Sequence, residues 1–416
     1  MKKLLVIGHT FPEPSTTAAG GRMMQILSLF SEDKFKITFV STARASERTV
    51  DLSMLGIQTE KVVLNSDSFD VFVSQLKPTV VLFDRYITEE QFGWRVAEHC
   101  PDALRILDTE DLHFLRKARQ EAIKNNKDVA EANLFSETAK RELASILRSD
   151  LSLIISEVEM ELLQDTFRVP KEILHYLPLW VETSSEEKTH RELPFEERRD
   201  FYTIGNLFHA PNVDAVLFLK KEIWPLIRKQ LPDAQIHIYG EYAPQRIKEL
   251  HAEKEGFLIK GWVEDASQVV SNAKVCLAPL RFGAGLKGKL LQAMTYGTPS
   301  VTTPIGAEGI NGQYPYGGSI AESVPDFVEA SVSLYMQKEN WLKAQQNGYE
   351  IVRQRFQKES FSEAFKEKIK SLLLTINQHR KAHFLGQILV HQSLQSTKYM
   401  SKWISLKEQI NTEKRG

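Results

Sequence analysis

The sequence predicts an α/β protein built from two parallel-sheet domains. Three observations predict it. Short β-rich apolar runs alternate with helix-periodic segments, the alternation stops once in a charged stretch and restarts, and 416 residues exceed one ordinary core. Hydrophobic residues make up 42% of the chain and charged ones 26%, the balance of a folded globular protein and not of a disordered one.

In order, LLVIG (4–8) is a short apolar strand ending in glycine. A Pro/Ser/Thr loop follows, then Gly20-Gly21, then a helical pattern starting near Arg22. Strand, glycine loop and helix form the opening unit of an open α/β sheet. FKITFVST, VVLF and ALRILDT supply further strands, residues 111–147 read as one long charged helical stretch, and SLIIS (152–156) is another strand. Residues 181–200 carry many charges with almost no apolar periodicity, so a linker is expected there, bounded at 186–200. Beyond it come FYTIG, the helix VDAVLFLKKEIWPLI, the strands QIHIYG and FLIKG, a helix near 265–272, VCLAP, a glycine-rich loop, the helix KLLQAMTYG and PSVTT. The expected organisation is therefore domain 1–185, linker 186–200, domain 201–375 and a helical C-terminal extension 376–416. Two mononucleotide-binding-like units leave a cleft between them, where such sheets place their ligands.

A net charge of -1 gives no global positive field, so no nucleic-acid partner is expected. Cys100 and Cys276 stand far apart and outside any metal or redox spacing, which suits small buried hydrophobes. The basic, briefly apolar start has too short a hydrophobic run for a signal peptide and reads as a first strand. A cytoplasmic location is the expectation, and no segment offers the roughly 20 apolar residues of a membrane span. The extension 376–416 holds seven Lys/Arg against two Glu, with spaced Phe384, Leu385, Ile388, Leu389, Tyr399, Met400, Trp403 and Ile404. That pattern suits packing on the protein's own surface, an oligomer contact, or peripheral contact with the inner face of a membrane or an anionic partner.

The most informative stretch is CLAPLRFGAGLKGKLLQAMTYGTPSVTTPIGAEG, residues 276–309. A strand ends near Pro279, Arg281 and Phe282 follow, then Gly283-Ala284-Gly285-Leu286, Lys287, Gly288 and Lys289 lead into a helix. Small residues let backbone N–H groups approach a ligand, and the helix start adds partial positive charge. Arg281, Lys287 and Lys289 suit a diphosphate whose charge grows as a leaving group departs. The spacing is not that of a P-loop.

These residues resemble the donor loop of the family 4 retaining glycosyltransferases, particularly a subgroup with P-L-R-x-G-x-G-x-K-G-K, a helix and a later G-A-E-G. IGNLFHAPNVDAV (204–216), GWVEDASQVVSNAKV (261–275), PEPSTTAAGGRMMQIL, ILDTEDLHFLR (106–116) and ISEVEMELL (155–163) resemble further family elements in the same order, covering roughly residues 1–375. The resemblance implies a GT-B fold, two Rossmann-like domains facing across a cleft, and a nucleotide-sugar donor with a UDP, GDP or ADP base. It also implies a glycan, lipid-linked or protein acceptor. The family brackets its donor with two glutamates eight positions apart; here Ala284 and Gln292 stand at those positions. In the subgroup the loop's backbone meets the sugar in place of the first. Gln292 can still bridge a ribose, though its amide offers one acceptor and a donor group where a carboxylate accepts twice.

The other candidates follow from the same matches. His113 falls on the element that places a histidine beside the reacting sugar, with Asp108 or Asp111 to orient its ring; a helix-capping histidine is the alternative. His209 and Asn212 fall near the diphosphate, although Pro211 and Asn212 also suit a helix start. Gly20 and Gly21 suit phosphate or acceptor contact, or a plain turn, and Arg22 is a candidate for an anionic acceptor group. Ser156 and Glu159 have the spacing of a capping box. Tyr239, Gly240 and Val263 end strands where the nucleotide base is expected, and Trp262 suits core or ligand equally. No metal-ligand spacing occurs, so no obligatory divalent ion is expected. The reading is sugar transfer with retention, catalysed through His113, Arg281 and Lys289. A silent nucleotide- or partner-binding protein and a sugar-nucleotide epimerase or phosphorylase of the same build are the alternatives. The sugar, base, acceptor and oligomeric state are not legible.

Overall fold

The computed structural model describes residues 2–181 and 193–413, so the expected linker lies outside the described residues up to position 192. The chain folds into two α/β domains, each around an all-parallel sheet.

The N-terminal domain runs β1 (Lys3–Gly8), α1 (Ala18–Glu32), β2 (Lys36–Ser41), β3 (Gln58–Lys61), α2 (Asp67–Leu76), β4 (Val80–Asp84) and α3 (Arg85–His99). It continues with β5 (Leu104–Asp108), α4 (His113–Lys124), α5 (Glu137–Arg148), β6 (Leu151–Ile154), α6 (Glu157–Glu161) and β7 (Leu174–Tyr176). Its strands are ordered β3-β2-β1-β4-β5-β6-β7. Leu4, Leu5, Val6 and Ile7 are all buried, as are the residues of β4, because helices cover both faces of the sheet.

The C-terminal domain runs β8 (Arg199–Ile204), α7 (Ala210–Phe218), α8 (Trp224–Gln230), β9 (Ile236–Tyr239), α9 (Gln245–Lys248), β10 (Phe257–Gly261), α10 (Ala266–Asn272) and β11 (Ala273–Ala278). Then come α11 (Gly288–Thr295), β12 (Ser300–Thr302), α12 (Pro304–Ala307), β13 (Gly318–Ile320), α13 (Val324–Met336) and α14 (Lys338–Arg355). The sheet order is β10-β9-β8-β11-β12-β13. Two more helices, α15 (Glu359–Ala382) and α16 (Phe384–Glu413), complete the chain.

The structure corrects three expectations. Helix α1 begins at Ala18, where the Thr17 hydroxyl accepts the Gly20 N–H at 2.8 Å, so Gly20 and Gly21 sit inside the first helical turn and not in a loop before it. The long helix over 111–147 is two helices, α4 and α5, parted by a turn in which Asn126 takes a left-handed φ of 54°. The domain boundary expected at 375 falls inside α15, whose Phe365, Ile369 and Leu372 join the N-terminal core. The chain crosses back near Gln357, where the Val181 N–H donates to Phe356 O at 2.8 Å, so both domain crossings lie side by side.

Candidate active site

Open parallel sheets bind ligands beyond the carboxyl ends of their strands, where strand order reverses. That point lies between β1 and β4 in one sheet and between β8 and β11 in the other. Segments following all four strands, including His9, Arg85, Gly205 and Leu280, line one cleft of about 1330 Å³ between the domains.

Phe282, Gly283, Ala284, Gly285, Leu286, Lys287, Gly288 and Lys289 line this cleft from the C-terminal side, with Gln292 a turn further along α11. Gly285 has a left-handed φ of 64°, and a Cβ there would lie 3.0 Å from Asp111 Cβ across the cleft. Glycine thus permits both the turn and the close approach of the other domain. No side chain caps the start of α11, leaving its first N–H groups open to an anion.

The two lysines differ. Lys287 Nζ donates to Gly285 O at 2.8 Å and lies 3.7 Å from Glu308, while burial lowers its pKa against the pull of Glu308. Lys289 Nζ donates to Asn212 Oδ1 at 2.8 Å and pairs with no carboxylate among the described residues. Burial brings it down to about 8. The Asn212 amide is oriented by donating to Asn206 O at 2.9 Å, and a Cβ at Gly205 would sit 2.7 Å from its nitrogen. His209 precedes α7 and lines the cleft; burial, with Arg116 adding, depresses it to about 4.

The N-terminal domain supplies the opposite wall. His113, first in α4, has Nε2 3.4 Å from Asp111 Oδ1 and meets the Tyr86 ring edge-on. Burial lowers it to about 3; Asp111 opposes this and Arg116 and Arg85 reinforce it, so the imidazole is neutral. Asp111 accepts Arg116 Nε at 2.7 Å and Nη2 at 3.2 Å. Burial raises the Asp111 carboxyl, but the Arg116 guanidinium holds it below the usual carboxylate range. Burial, then Asp108, pushes the Glu110 carboxyl well above its usual range. Gly20 and Gly21 also line this wall: a Cβ at Gly20 would lie 2.5 Å from the Glu13 backbone, whereas one at Gly21 meets nothing within 4 Å.

Seven expected residues lie elsewhere or act differently. Arg22 is buried, its Nε and Nη2 donating to Asp108 Oδ1 at 2.9 and 2.8 Å and its Nη1 to Leu177 O, so Asp108 is not free for His113 either. Arg22 falls in the second turn of α1 and points inward. Arg281 does not line the cleft; its guanidinium pairs with Asp214, Nε to Oδ2 at 2.9 Å, over the Phe218 ring. Ser156 makes no side-chain cap, and Glu159 reaches across the domains. Its Oε1 accepts the Leu112 and Gly285 N–H groups, both at 2.9 Å. Tyr239 lines a neighbouring cavity of about 680 Å³ that shares Val263 with the cleft, and Gly240 packs against Gly205, where a Cβ would strike the carbonyl oxygen.

Sequence reasoning missed Arg85, Glu110, Arg116 and a clasp between the domains. Arg119 donates to Gly283 O at 2.9 Å and to both Glu308 oxygens at 2.8 and 2.7 Å. Arg85 had a legible signal, a charged residue directly after a buried parallel strand. The clasp had none, because its partners lie 189 positions apart. Among the described residues, no three His, Cys, Asp or Glu side chains are placed to hold a metal ion.

The fold is similar to solved structures at low identity. The sucrose-phosphate synthase of Thermosynechococcus elongatus superposes with a TM-score of 0.68 at 14% identity, covering 90% of this chain and 100% of that one. HepE of Anabaena, solved with UDP and glucose, gives 0.64 at 14% identity, covering 89% and 100%. WaaG, a glycosyltransferase involved in lipopolysaccharide biosynthesis, gives 0.59 at 13% identity, covering 87% and 98%. No curated protein matches the sequence. The sequence model of the Glycosyl transferases group 1 family matches residues 198–337, the part of the chain that carries the glycine-rich loop. The architecture is thus GT-B, and its C-terminal domain carries the group 1 glycosyltransferase pattern.

Proposed function

We propose that this protein transfers a sugar from a nucleotide-sugar donor to a hydroxyl acceptor with retention of the anomeric configuration. The observation that carries the reading is Lys289: a partly buried, desolvated ammonium on the cleft wall, held by one neutral amide and paired with no carboxylate among the described residues. A desolvated cation without a counter-ion is costly, and an entering diphosphate supplies the missing charge. The open N–H groups at the start of α11, beside the cleft-lining 283–287 loop, meet the same anion. The similarity to HepE, a protein solved with UDP and glucose, supports a nucleoside-diphosphate sugar as donor. The group 1 match over residues 198–337 supports sugar transfer.

In the proposed reaction the bond from the sugar's anomeric carbon to the diphosphate oxygen breaks, and one to the acceptor oxygen forms on the same face. The acceptor proton passes to the departing phosphate. Lys289 and the N–H groups at the start of α11 stabilise the developing negative charge. Ala284 offers no nucleophile for a covalent intermediate. His113, neutral at working pH, is placed as a hydrogen-bond partner for the sugar. Its Asp111 neighbour orients the ring. Closure over the paired crossings at Val181 and Gln357 excludes water and limits donor hydrolysis.

The test is turnover. UDP-, GDP- and ADP-sugars are offered with glycan and lipid-linked acceptors, and the anomeric configuration of any product is read by NMR. Acceptor-dependent release of one nucleoside diphosphate with a retained product supports the reading; an inverted product removes the retention assignment. Glu110, a cleft carboxyl whose pKa burial raises well above its usual range, favours a second reading as a sugar-nucleotide epimerase. Conversion of the donor at a rate independent of acceptor would select it.

A further inference from the structure

Helix α16 presents its apolar face outward. Its inner face is fixed to the N-terminal domain by polar anchors along its length. The Ser401 hydroxyl donates to Asn65 Oδ1 at 2.9 Å and accepts from Arg95 Nη2 at 3.2 Å, and Lys398 pairs with Glu98 at 2.6 Å. At the other end His383, just before the helix, binds Leu147 O at 2.8 Å, and Gly386 passes so close to that oxygen that a Cβ would lie 2.4 Å from it. These contacts set the helix's rotation.

The opposite face carries Leu385, Ile388, Tyr399, Trp403, Leu406 and Ile410, which recur at three-, four- and seven-residue helical steps through a central polar stretch containing Gln392 and Ser396. Tyr399, Trp403 and Leu406 are 61%, 57% and 55% exposed. An ordinary surface helix turns such a stripe into the core. As far as residue 407 the charges around it have one sign, and Glu408 and Glu413 follow at the end of the helix. Lys402 and Lys407 are exposed on its two edges, Lys407 lying over the Trp403 ring, and no Asp or Glu occurs anywhere from 376 through 407. Two copies meeting across a two-fold axis would set these lysines against each other. An anionic surface would not.

We propose that the outer face of α16 docks in the plane of an anionic phospholipid surface. Trp403 and Tyr399 sit at the headgroup level, the aliphatic residues enter the acyl boundary, and Lys402 and Lys407 meet lipid phosphates. The helix lies on the bilayer and does not cross it; among the described residues none is long and apolar enough to span. This docking is independent of the donor chemistry.

The experiment is co-sedimentation of the full chain with vesicles of phosphatidylcholine alone or mixed with phosphatidylglycerol. Two double variants are compared, Trp403→Glu with Leu406→Glu and Lys402→Glu with Lys407→Glu. Circular dichroism and thermal melting check that both stay folded, because Lys402, a turn from Lys398, also acts on Glu98. The full chain is expected to sediment with the mixed vesicles, to release as salt rises, and to lose at least about tenfold in partitioning in either variant. Retention in the supernatant with both vesicle types, or unchanged partitioning of both variants, overturns the proposal. So does a dimer by light scattering that either variant abolishes while no vesicle binding is seen, which would assign the face to a second copy.

Discussion

The carboxylate of Glu159, on the N-terminal domain, accepts the backbone N–H of Gly285 in the glycine-rich loop of the other domain at 2.9 Å. The same oxygen accepts Leu112 N–H, while Oε2 is buried without a partner. One side chain thus ties the loop to the element that carries Asp111 and His113. Burial pushes its carboxyl up to about 7, and the charge of Asp111 adds to the shift.

A pH dependence of stability follows. Burial likewise pushes Glu142, which accepts the His113 and Phe114 N–H groups, up to about 8. Both folded values lie above the unfolded one, so the folded state holds more protons between about pH 4.5 and 8. Their stabilising contribution is full below that window and is lost as pH rises through it. Glu159→Gln keeps an acceptor for both N–H groups and removes the titration. Its melting temperature is expected to exceed that of the parent by on the order of a few degrees at pH 8.5. The difference should shrink toward pH 5. A gap that does not vary with pH would contradict the burial account.

His113 and His209 act in the opposite sense. Burial holds them at about 3 and about 4, so the folded state resists protonating them. Their contribution is present above the unfolded value of about 6.5 and is lost as pH falls toward the folded values. Neither imidazole should titrate between pH 5 and 8 by NMR. His113→Ala should lower kcat by about a hundredfold with a smaller effect on KM, as expected of a group that matters at the reacting sugar.

The pattern of these residues shows what the sequence disclosed. The strand–helix alternation revealed both sheets, and the glycines and lysines of 283–289 revealed one wall of the cleft, because each depends on neighbours within a few positions. Arg22 and Arg281 were misplaced for a related reason. Each follows a glycine pair or precedes a glycine run, but the chain's local path turns them to Asp108 and Asp214. Glu159 fits a capping box by spacing, yet its partner is 126 residues away. Arg119 and Glu308 meet only after both domains have formed. Linear pattern carries periodicity and local turns; it does not carry which buried charge faces which.

The adjacent glycines of α1 should part company on substitution. Gly20→Ala places a methyl 2.5 Å from the Glu13 backbone, so destabilisation of about 1–3 kcal/mol is expected by denaturant melting. Gly21→Ala meets nothing within 4 Å and should fold normally, with its methyl projecting into the cleft. A loss of turnover in the folded Gly21→Ala protein would show ligand contact there; full activity would make Gly21 a space-filler.

The Arg119–Glu308 clasp holds the loop from across the cleft. Arg119→Ala and Glu308→Ala, combined in a double-mutant cycle, should show a coupling of about 1–3 kcal/mol in stability. Donor KM should rise more than kcat falls, because the loop loses its preset position. Additive effects would mean that the pair contributes no net energy.

The proposed reaction leaves the diphosphate charge to Lys289 and backbone N–H groups, so turnover is expected to survive a chelator. Loss of activity restored by added magnesium or manganese would contradict that part of the account.

The central claim is that Lys289 waits for a diphosphate, and calorimetric titration of the protein with UDP, GDP and ADP tests it most directly. At pH 8, where burial leaves the Lys289 amine partly unprotonated, an arriving anion should draw in a proton. The heat should therefore vary with the ionisation enthalpy of the buffer. The account predicts selective binding of one diphosphate with proton uptake, and an affinity at least about tenfold weaker in Lys289→Ala, which also loses the uptake. Binding unchanged in Lys289→Ala, or no binding of any of the three by the parent protein, would contradict it.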